Sequence, residues 1–138
     1  MMRFLHPPDW APAKGYANGV LAEGTLLFVA GQIGWDAEQR LVSDPGSSPG
    51  QAFAEQTRQA LENVVAVLEQ GGARPEHVAR MTWYVTDKQV YLAAQRAIGE
   101  AYRAVFGSHF PAMTLVEVAD LLEPGALVEI EATAVLPL

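Results

Sequence analysis

The sequence contains no cysteine. This absence excludes a disulfide framework, a thiol nucleophile, an iron–sulfur cluster and a cysteine-rich zinc site. Histidine is the other common ligand of transition metals, and the three histidines, His6, His77 and His109, match no metal-binding spacing. We therefore expect neither a metal site nor a cofactor.

Positive charge is scarce as well. Nine basic residues stand against 16 acidic ones, which gives a net charge of −7 and an isoelectric point near 4.8. Proteins that bind nucleic acid usually concentrate Lys and Arg in a stripe or patch, whereas here the basic residues are spread along the chain. A nucleic-acid partner is therefore disfavoured.

Long apolar runs are missing too. None approaches the ~18 residues that a membrane-spanning helix needs. Pro7 and Pro8 interrupt the first residues before the apolar core of a signal peptide can form. We expect a cytoplasmic protein without a membrane partner.

What is present indicates one folded domain covering residues 1–138. Half of the 138 residues are hydrophobic and 18% are charged, a composition that supports a buried core. Prolines and a glycine make residues 1–15 an extended N-terminal arm. Short apolar runs at 20–22 and 26–30, separated by a glycine-containing link, predict a β-hairpin, and the Ser, Pro and Gly residues of 43–50 predict a loop.

The remaining segments alternate between the spacing of apolar residues that is typical of helices and the one that is typical of strands. Apolar residues recur at helical spacing over 51–70 and over roughly 89–106. Segments 78–85, 113–118 and 127–135 have the β-branched and alternating character of strands. The order β-β-α-β-α-β-β predicts an α+β fold with two helices on one face of a sheet.

The two faces of the last strand differ in character, because alternate residues point to opposite sides of a sheet. We expect one face to pack under the helices: Val128, Ile130, Ala132 and Ala134. The opposite face has a mixed character: Leu127, Glu129, Glu131, Thr133 and Val135. The earlier strands are apolar on both faces, so we expect another subunit to cover the helix-free face.

A few residues could carry chemistry. Glu129 and Glu131 lie two apart on one strand, with Cα atoms ~7 Å apart, so they point the same way and serve either as acid–base groups or as ordinary carboxylates at a rim. Gly31 at a strand end either opens the backbone to a ligand or forms a turn or bulge. Tyr16 either covers a cleft or anchors the arm, and Tyr84 either packs in an interface or lines a cleft.

Taken together, several short motifs resemble the RidA/YjgF family, also known as endoribonuclease L-PSP. The similarity runs from about residue 15 to 135, and its most specific part is the tail that begins with Phe-Pro-Ala. The motifs are Gly15-Tyr16 with Gly19, Gly31-Gln32-Ile33, the helical segment 59–64, and the tail segments 110–112, 116–118 and 128–132.

The resemblance implies a chorismate-mutase-like α+β fold and a homotrimer whose sheets form a central barrel, with clefts between subunits. In the deaminase branch of the family, an arginine directly after Phe-Pro-Ala holds the substrate carboxylate and the first glutamate of Glu-x-Glu positions the hydrolytic water. A strand-end glycine contributes backbone contacts, and an early tyrosine closes the cleft from a neighbouring subunit. The corresponding residues present here are Glu129, Gly31 and Tyr16.

Two positions depart from that pattern. Met113 stands where the deaminases have the arginine, and Ala30 stands where a small hydroxyl residue is common. A thioether cannot form the paired hydrogen bonds of a guanidinium with a carboxylate, so we expect weak or absent activity on 2-imino acids; Arg80 is a candidate replacement. The predicted site consists of Glu129 as the catalytic residue and of the substrate-binding residues Tyr16, Ala30, Gly31, Tyr84, Met113, Thr114 and Glu131.

Three functions therefore compete. The first is a hydrolase of imines, enamines or related small molecules, in which Glu129 orients water. The second is a trimeric binding module that keeps the cleft without the chemistry. The third is the ribonuclease implied by the older family name, which the acidic composition disfavours.

Overall fold

A computed structural model describes residues 2–44, 46 and 48–138 of the chain. Within the loop predicted at 43–50, Pro45 and Ser47 lie outside the described residues. Six strands, three α-helices and a short 3₁₀ turn are assigned in the described part. The strands are β1 (Met2–Leu5), β2 (Gly19–Ala22), β3 (Thr25–Ile33), β4 (Val78–Val85), β5 (Ala112–Glu117) and β6 (Val128–Leu136), and the helices are α1 (Pro49–Gln70), α2 (Lys88–Ala93) and α3 (Gln95–Phe106), with the 3₁₀ turn at Pro75–His77.

Four strands form the main sheet, in the order β3-β6-β4-β5. Strands β3 and β4 each pair antiparallel with β6, and β5 runs parallel to β4 at the edge. The parallel pair needs a long crossover, and α2 and α3 supply it. The predicted α+β class is confirmed, with a mixed sheet and two main helices.

The predicted hairpin between residues 20–22 and 26–30 is wrong. Strand β2 pairs with β1, so that Met2 faces Ala22 and Leu5 faces Gly19, whereas β3 pairs with β6. The first residues of the N-terminal arm are therefore a strand of a second, two-stranded sheet. Gly24, in the link between β2 and β3, lies against the end of β6, where an added Cβ would lie 2.8 Å from the backbone carbon of Leu136. At this point the chain runs against β6 and does not turn back on itself.

Helix α1 packs across the sheet with the predicted apolar stripe. It begins at Pro49, two residues before the predicted start, and proline suits the first turn of a helix because no N–H is needed there. Gly72, with φ of 76°, follows its end. The fully buried stripe residues include Phe53, Ala60, Leu61, Val64 and Leu68.

The second predicted helix is interrupted. Residues 89–106 form two helices, α2 and α3, that are separated at Ala94, where φ is −108° and ψ is 15°. Nothing in the local sequence opposes a continuous helix, so the break follows from packing. The Tyr91 ring of α2 lies against Phe53 of α1, with 5.9 Å between ring centroids, whereas α3 packs against the sheet through Tyr102, whose ring lies 6.2 Å from that of Trp83.

The two faces of the sheet divide as predicted for β6 but differ from the prediction elsewhere. Val128, Ile130 and Ala134 are fully buried under the helices. The helix-free face, called the open face below, is apolar along β3, where Leu26 and Phe28 are 56% and 72% exposed, and also at Val116 of β5 and Val135 of β6. Its centre along β4 and β6 is polar and consists of Arg80, Thr82, Tyr84, Glu129, Glu131 and Thr133.

No helix in the described part of the chain combines the length and apolar character needed to cross a membrane.

Candidate functional site

The strand-end glycine lies in a β-bulge. Val29 pairs with Ala132 and Gln32 pairs with Ile130, so two residues, Ala30 and Gly31, face one position on β6. The Gln32 amide donates a hydrogen bond to the Ala30 carbonyl oxygen at 3.0 Å. The bulge was one of the two sequence-based interpretations of Gly31, and it also exposes the glycine backbone on the open face.

The carboxylate of Glu129 lies directly against Gly31. A Cβ built on Gly31 would lie 2.8 Å from Glu129 Cδ and 3.0 Å from Cγ, closer than such atoms normally approach. Only glycine therefore allows the carboxylate this position. Glu129 is half-buried and accepts no hydrogen bond from the described residues, so its oxygens remain available to a bound molecule.

Glu131, the second member of the pair, is already engaged. The Tyr84 hydroxyl donates a hydrogen bond to Glu131 Oε1. This hydrogen bond to the carboxylate raises the pKa of Tyr84, and burial and the negative charges of Glu131 and Glu129 raise it further. The phenol therefore stays protonated as a donor. The two glutamates differ in their hydrogen-bond partners, because Tyr84 binds only Glu131.

Gly31, Tyr84, Glu129 and Glu131 line one cavity of about 400 Å³ on the open face, called the carboxylate cavity below. The loop after β5 closes its other side through residues that include Asp120 and Leu122. The structure thus brings four of the eight predicted site residues together. Ala30 is exposed beside it, in the bulge.

A larger cavity of about 510 Å³ lies on the other face of the sheet, between the helices, β4 and β5. The segment before β2 covers part of it through Tyr16, and Met113 of β5 forms part of its wall. We call it the aromatic cavity, because five aromatic side chains line it: Tyr16, Trp83, Tyr91, Tyr102 and Phe110.

Within one chain, Met113 and Glu129 therefore lie on opposite faces of the sheet. Met113 is in register with the buried Met81, whereas Glu129 is in register with Tyr84 on the open face. Thr114, next to Met113, consequently points to the open face and lines a cleft with Tyr84 and Glu131. Tyr16 and Met113 also border a cleft at the edge of the sheet, together with Arg80 and Thr114.

Sequence reasoning missed several residues of the aromatic cavity. Lys14, Tyr91, Gly99 and Arg103 line it, and none was among the predicted site residues. The available signal was Gly99, because glycine inside a helical pattern is costly and calls for a reason. Trp83, which is 3% exposed, also forms a wall of the cavity.

The described ranges 2–44, 46 and 48–138 contain no group of three or more His, Asp or Glu side chains arranged to hold a metal ion.

The chain is similar in sequence to known proteins over most of its length. The family model described as Endoribonuclease L-PSP matches residues 8–136. A RutC family protein from Synechocystis is 34% identical over 132 residues, covering 92% of this chain and 90% of the relative. Human 2-iminobutanoate/2-iminopropanoate deaminase is 31% identical over 120 residues, covering 87% and 79%.

Two solved structures show the same fold. The conserved Rid family protein YyfB from Yersinia pestis superposes with a TM-score of 0.82 at 32% identity, covering 98% of each chain. The YjgF protein from Escherichia coli superposes with a TM-score of 0.65 at 31% identity, covering 87% of each chain.

Proposed function

The chain belongs to the endoribonuclease L-PSP family, which includes the RidA and YjgF proteins, and we propose that it is a homotrimeric hydrolase of small imines or enamines. The observation that carries this proposal is the position of the Glu129 carboxylate against Gly31, where a Cβ would lie 2.8 Å from Glu129 Cδ. A carboxylate with free oxygens beside exposed backbone can hold and activate a water molecule.

The proposed reaction uses Glu129 first as a base and then as an acid. Glu129 accepts a proton from water as the water oxygen bonds to the carbon of the C=N group. Protonated Glu129 delivers this proton to nitrogen, which gives the neutral carbinolamine. Glu129 then takes the proton of the carbinolamine hydroxyl group and passes it to nitrogen as the C–N bond breaks, so the products are a carbonyl compound and ammonia or an amine. Glu131 does not compete for this role, because the Tyr84 hydroxyl occupies it.

The complete site requires a second copy of the chain. Met113 and Glu129 line cavities on opposite faces of one subunit, so they can meet only where one subunit's β5 edge approaches the open face of another. Leu26 and Phe28, which are 56% and 72% exposed on the same face of β3, favour such a contact, because adjoining exposed apolar side chains mark an interaction surface.

Met113 narrows the substrate class. It leaves a thioether where the deaminases of this family have a guanidinium, and the surrounding wall is aromatic. We therefore propose that compounds without a carboxylate on the imine carbon are better substrates than 2-imino acids.

Imine hydrolysis tests the proposal directly. A flavin-dependent amine oxidase acting on benzylamine generates an imine without a carboxylate in solution. The initial rate of trapping by semicarbazide, corrected for the rate measured with the same concentration of benzaldehyde, measures how much imine survives. Wild-type protein is expected to reduce trapping, Glu129→Gln is expected to abolish the effect, and Glu131→Gln is expected to retain much of it. Equal activity of all three proteins would contradict the role of Glu129, and a larger loss in Glu131→Gln would assign that role to Glu131.

The same experiment separates the enzyme from a binding module. A wild-type protein that accelerates hydrolysis neither of this imine nor of a 2-imino acid, while still binding small ligands, would support the non-catalytic alternative. Trimer content should be checked for each variant by size-exclusion chromatography with light scattering, because loss of the assembly would remove the site without changing its chemistry.

A further inference from the structure

The aromatic cavity carries positive charge only. Lys14, from the segment before β2, and Arg103 of α3 line it, and no acidic residue in the described part of the chain does. This local excess occurs in a chain whose net charge is −7. Neither cation forms an ion pair with a described carboxylate, whereas four other arginines do: Arg40, Arg58, Arg74 and Arg96.

Because Gly99 has no side chain, the Arg103 guanidinium can lie close to the backbone of α3 at the cavity. It lies in the interior of α3, where glycine costs ~1 kcal/mol relative to alanine. A Cβ built on Gly99 would lie 3.3 Å from Arg103 Nη1 and 3.8 Å from Nη2. The guanidinium therefore lies over the bare backbone of Gly99, and both residues face the cavity.

The walls around these cations are flat and apolar. The Tyr102 ring stacks on Phe110, with 5.3 Å between centroids and 15° between planes, and its hydroxyl is used in a hydrogen bond to the His109 carbonyl. Trp83 adds a buried indole whose N–H has no hydrogen-bond partner in the described part of the chain. Such walls suit an aromatic or branched apolar group.

We propose that the aromatic cavity binds a small organic anion with an aromatic or apolar body, and that Arg103 holds its charged group. Arg103 is exposed on α3 and Met113 is half-buried in β5, so the two residues line the cavity from different layers of the fold. The charged group and the end that reaches the sheet are therefore at different ends of the ligand.

This inference rests on the proposed function only for the hydrolysis of the C=N group at the end of the ligand that reaches the sheet. It names the substrate class of the same site: a compound whose anionic group is separated by several bonds from the carbon that is hydrolysed. A 2-imino acid, whose carboxylate is attached to the imine carbon itself, does not meet this requirement.

Binding of a matched pair of probes tests the proposal. 3-Phenylpropanoate and 3-phenylpropanamide have the same shape and differ in charge, and their affinities can be measured by calorimetry on the wild-type protein. The carboxylate is expected to bind at least about 10-fold more tightly than the amide, as one charge-assisted pair provides. Equal affinities, or no binding of either probe, would overturn the proposal.

Variants test which basic residue binds the carboxylate of 3-phenylpropanoate. Arg103→Met is expected to remove the preference for the carboxylate, and Gly99→Leu, which displaces the guanidinium and fills the cavity, is expected to weaken both probes. Arg96→Met is the matched control, because Arg96 lies on the same helix and is paired with Glu100; it should bind like wild type. A preference that survives Arg103→Met but is lost in Lys14→Met would refute the assignment to Arg103.

The results distinguish failure of the proposed hydrolase function from failure of the proposed anion binding. This inference is measured by the affinities of the two probes, and the proposed function is measured by the rate of imine hydrolysis, so neither measurement depends on the other. Imine hydrolysis without discrimination between the two probes would leave the proposed function intact and reject this inference. Tighter binding of the carboxylate probe without any imine hydrolysis would reject the proposed function and support this inference.

Discussion

At the scale of single residues, the candidate site depends on a contact between a residue without a side chain and one with a charge. Gly31 is exposed in a bulge and leaves room for the carboxylate of Glu129. The neighbouring Glu131 has the same side chain but is held by Tyr84. The two glutamates therefore differ because of their partners and not because of their chemistry.

Replacing Gly31 by alanine tests that contact. The added methyl group overlaps the Glu129 carboxylate, so the side chain must move while the strand stays in place. A displacement of about 1 Å can cost on the order of 100-fold in rate, and we expect Gly31→Ala to lose imine hydrolysis by at least 10-fold on that basis. Activity is measured by the trapping assay.

The matched control is Gly19→Ala, at a strand glycine where the new Cβ would meet Leu5 at an ordinary 3.5 Å. It is expected to keep wild-type activity. Full activity in Gly31→Ala would mean that the carboxylate position seen here is not needed for hydrolysis.

The proposed discrimination against 2-imino acids depends on a second residue at this scale, Met113. Introducing the guanidinium by Met113→Arg supplies a partner for the substrate carboxylate, and such a pair provides roughly 2 kcal/mol or more, about a 30-fold gain in kcat/KM. The measurement is hydrolysis of the imine derived from 2-aminoacrylate, with Met113→Leu as the control for size. Wild-type activity equal to that of an arginine-containing relative would contradict this prediction.

At the scale of elements, one buried side chain connects α1 to the loop before β6. Gln56 is fully buried, and its Nε2 donates to the carbonyl oxygens of Gly125 at 2.9 Å and Ser43 at 3.2 Å. Its Oε1 accepts from the Leu127 backbone N–H at 2.8 Å. These bonds fix where β6 begins and therefore where Glu129 lies on the sheet.

Removing this amide is expected to destabilise the fold. Gln56→Met keeps the length of the side chain but leaves buried backbone groups without partners, at ~1–3 kcal/mol for each group that is not rehydrated. We expect a loss of about 2–4 kcal/mol in the free energy of unfolding, measured by urea denaturation. Gln51→Met, at an exposed position of the same helix, should change stability by less than ~0.5 kcal/mol; a similar loss in both variants would refute this role of Gln56.

At the scale of the whole molecule, one chain has two cavities on opposite faces of its sheet. The carboxylate cavity lies on the open face, and the aromatic cavity lies under the helices. The open face also carries the exposed apolar side chains of β3. A single arrangement, contact with further copies of the chain, would cover the apolar patch and complete the site.

The assembly can be measured by sedimentation equilibrium. A trimer should have three times the 14.9 kDa mass of the chain. Phe28→Asp is expected to shift the protein toward monomer, because a charge would be buried in the contact, while Leu92→Asp, at a 52% exposed position in the helix layer, should not. A stable wild-type monomer at micromolar concentration would refute both the trimer and the intersubunit site.

The sequence alone determined most of the elements, because local periodicity reports which side of a helix or strand is buried; strand β1 and the break between α2 and α3 were not predicted. Strand β4 was predicted with its observed bounds, and α1 within two residues of them. The family was also recognisable from short motifs, since glycines and the Phe-Pro-Ala tail occur at set positions. The prediction that Glu129 faces away from the helices followed from strand alternation alone.

Only the tertiary structure decided which elements and side chains meet. The link at Glu23-Gly24 has the composition of a hairpin turn, yet β3 pairs with β6, because pairing partners distant in sequence compete with local ones. The approach of Glu129 to Gly31 and the bond of Tyr84 to Glu131 depend on atoms brought together by the pairing of different strands. Residue patterns carry no distances between side chains, so the partner of each charged group became known only from the folded chain.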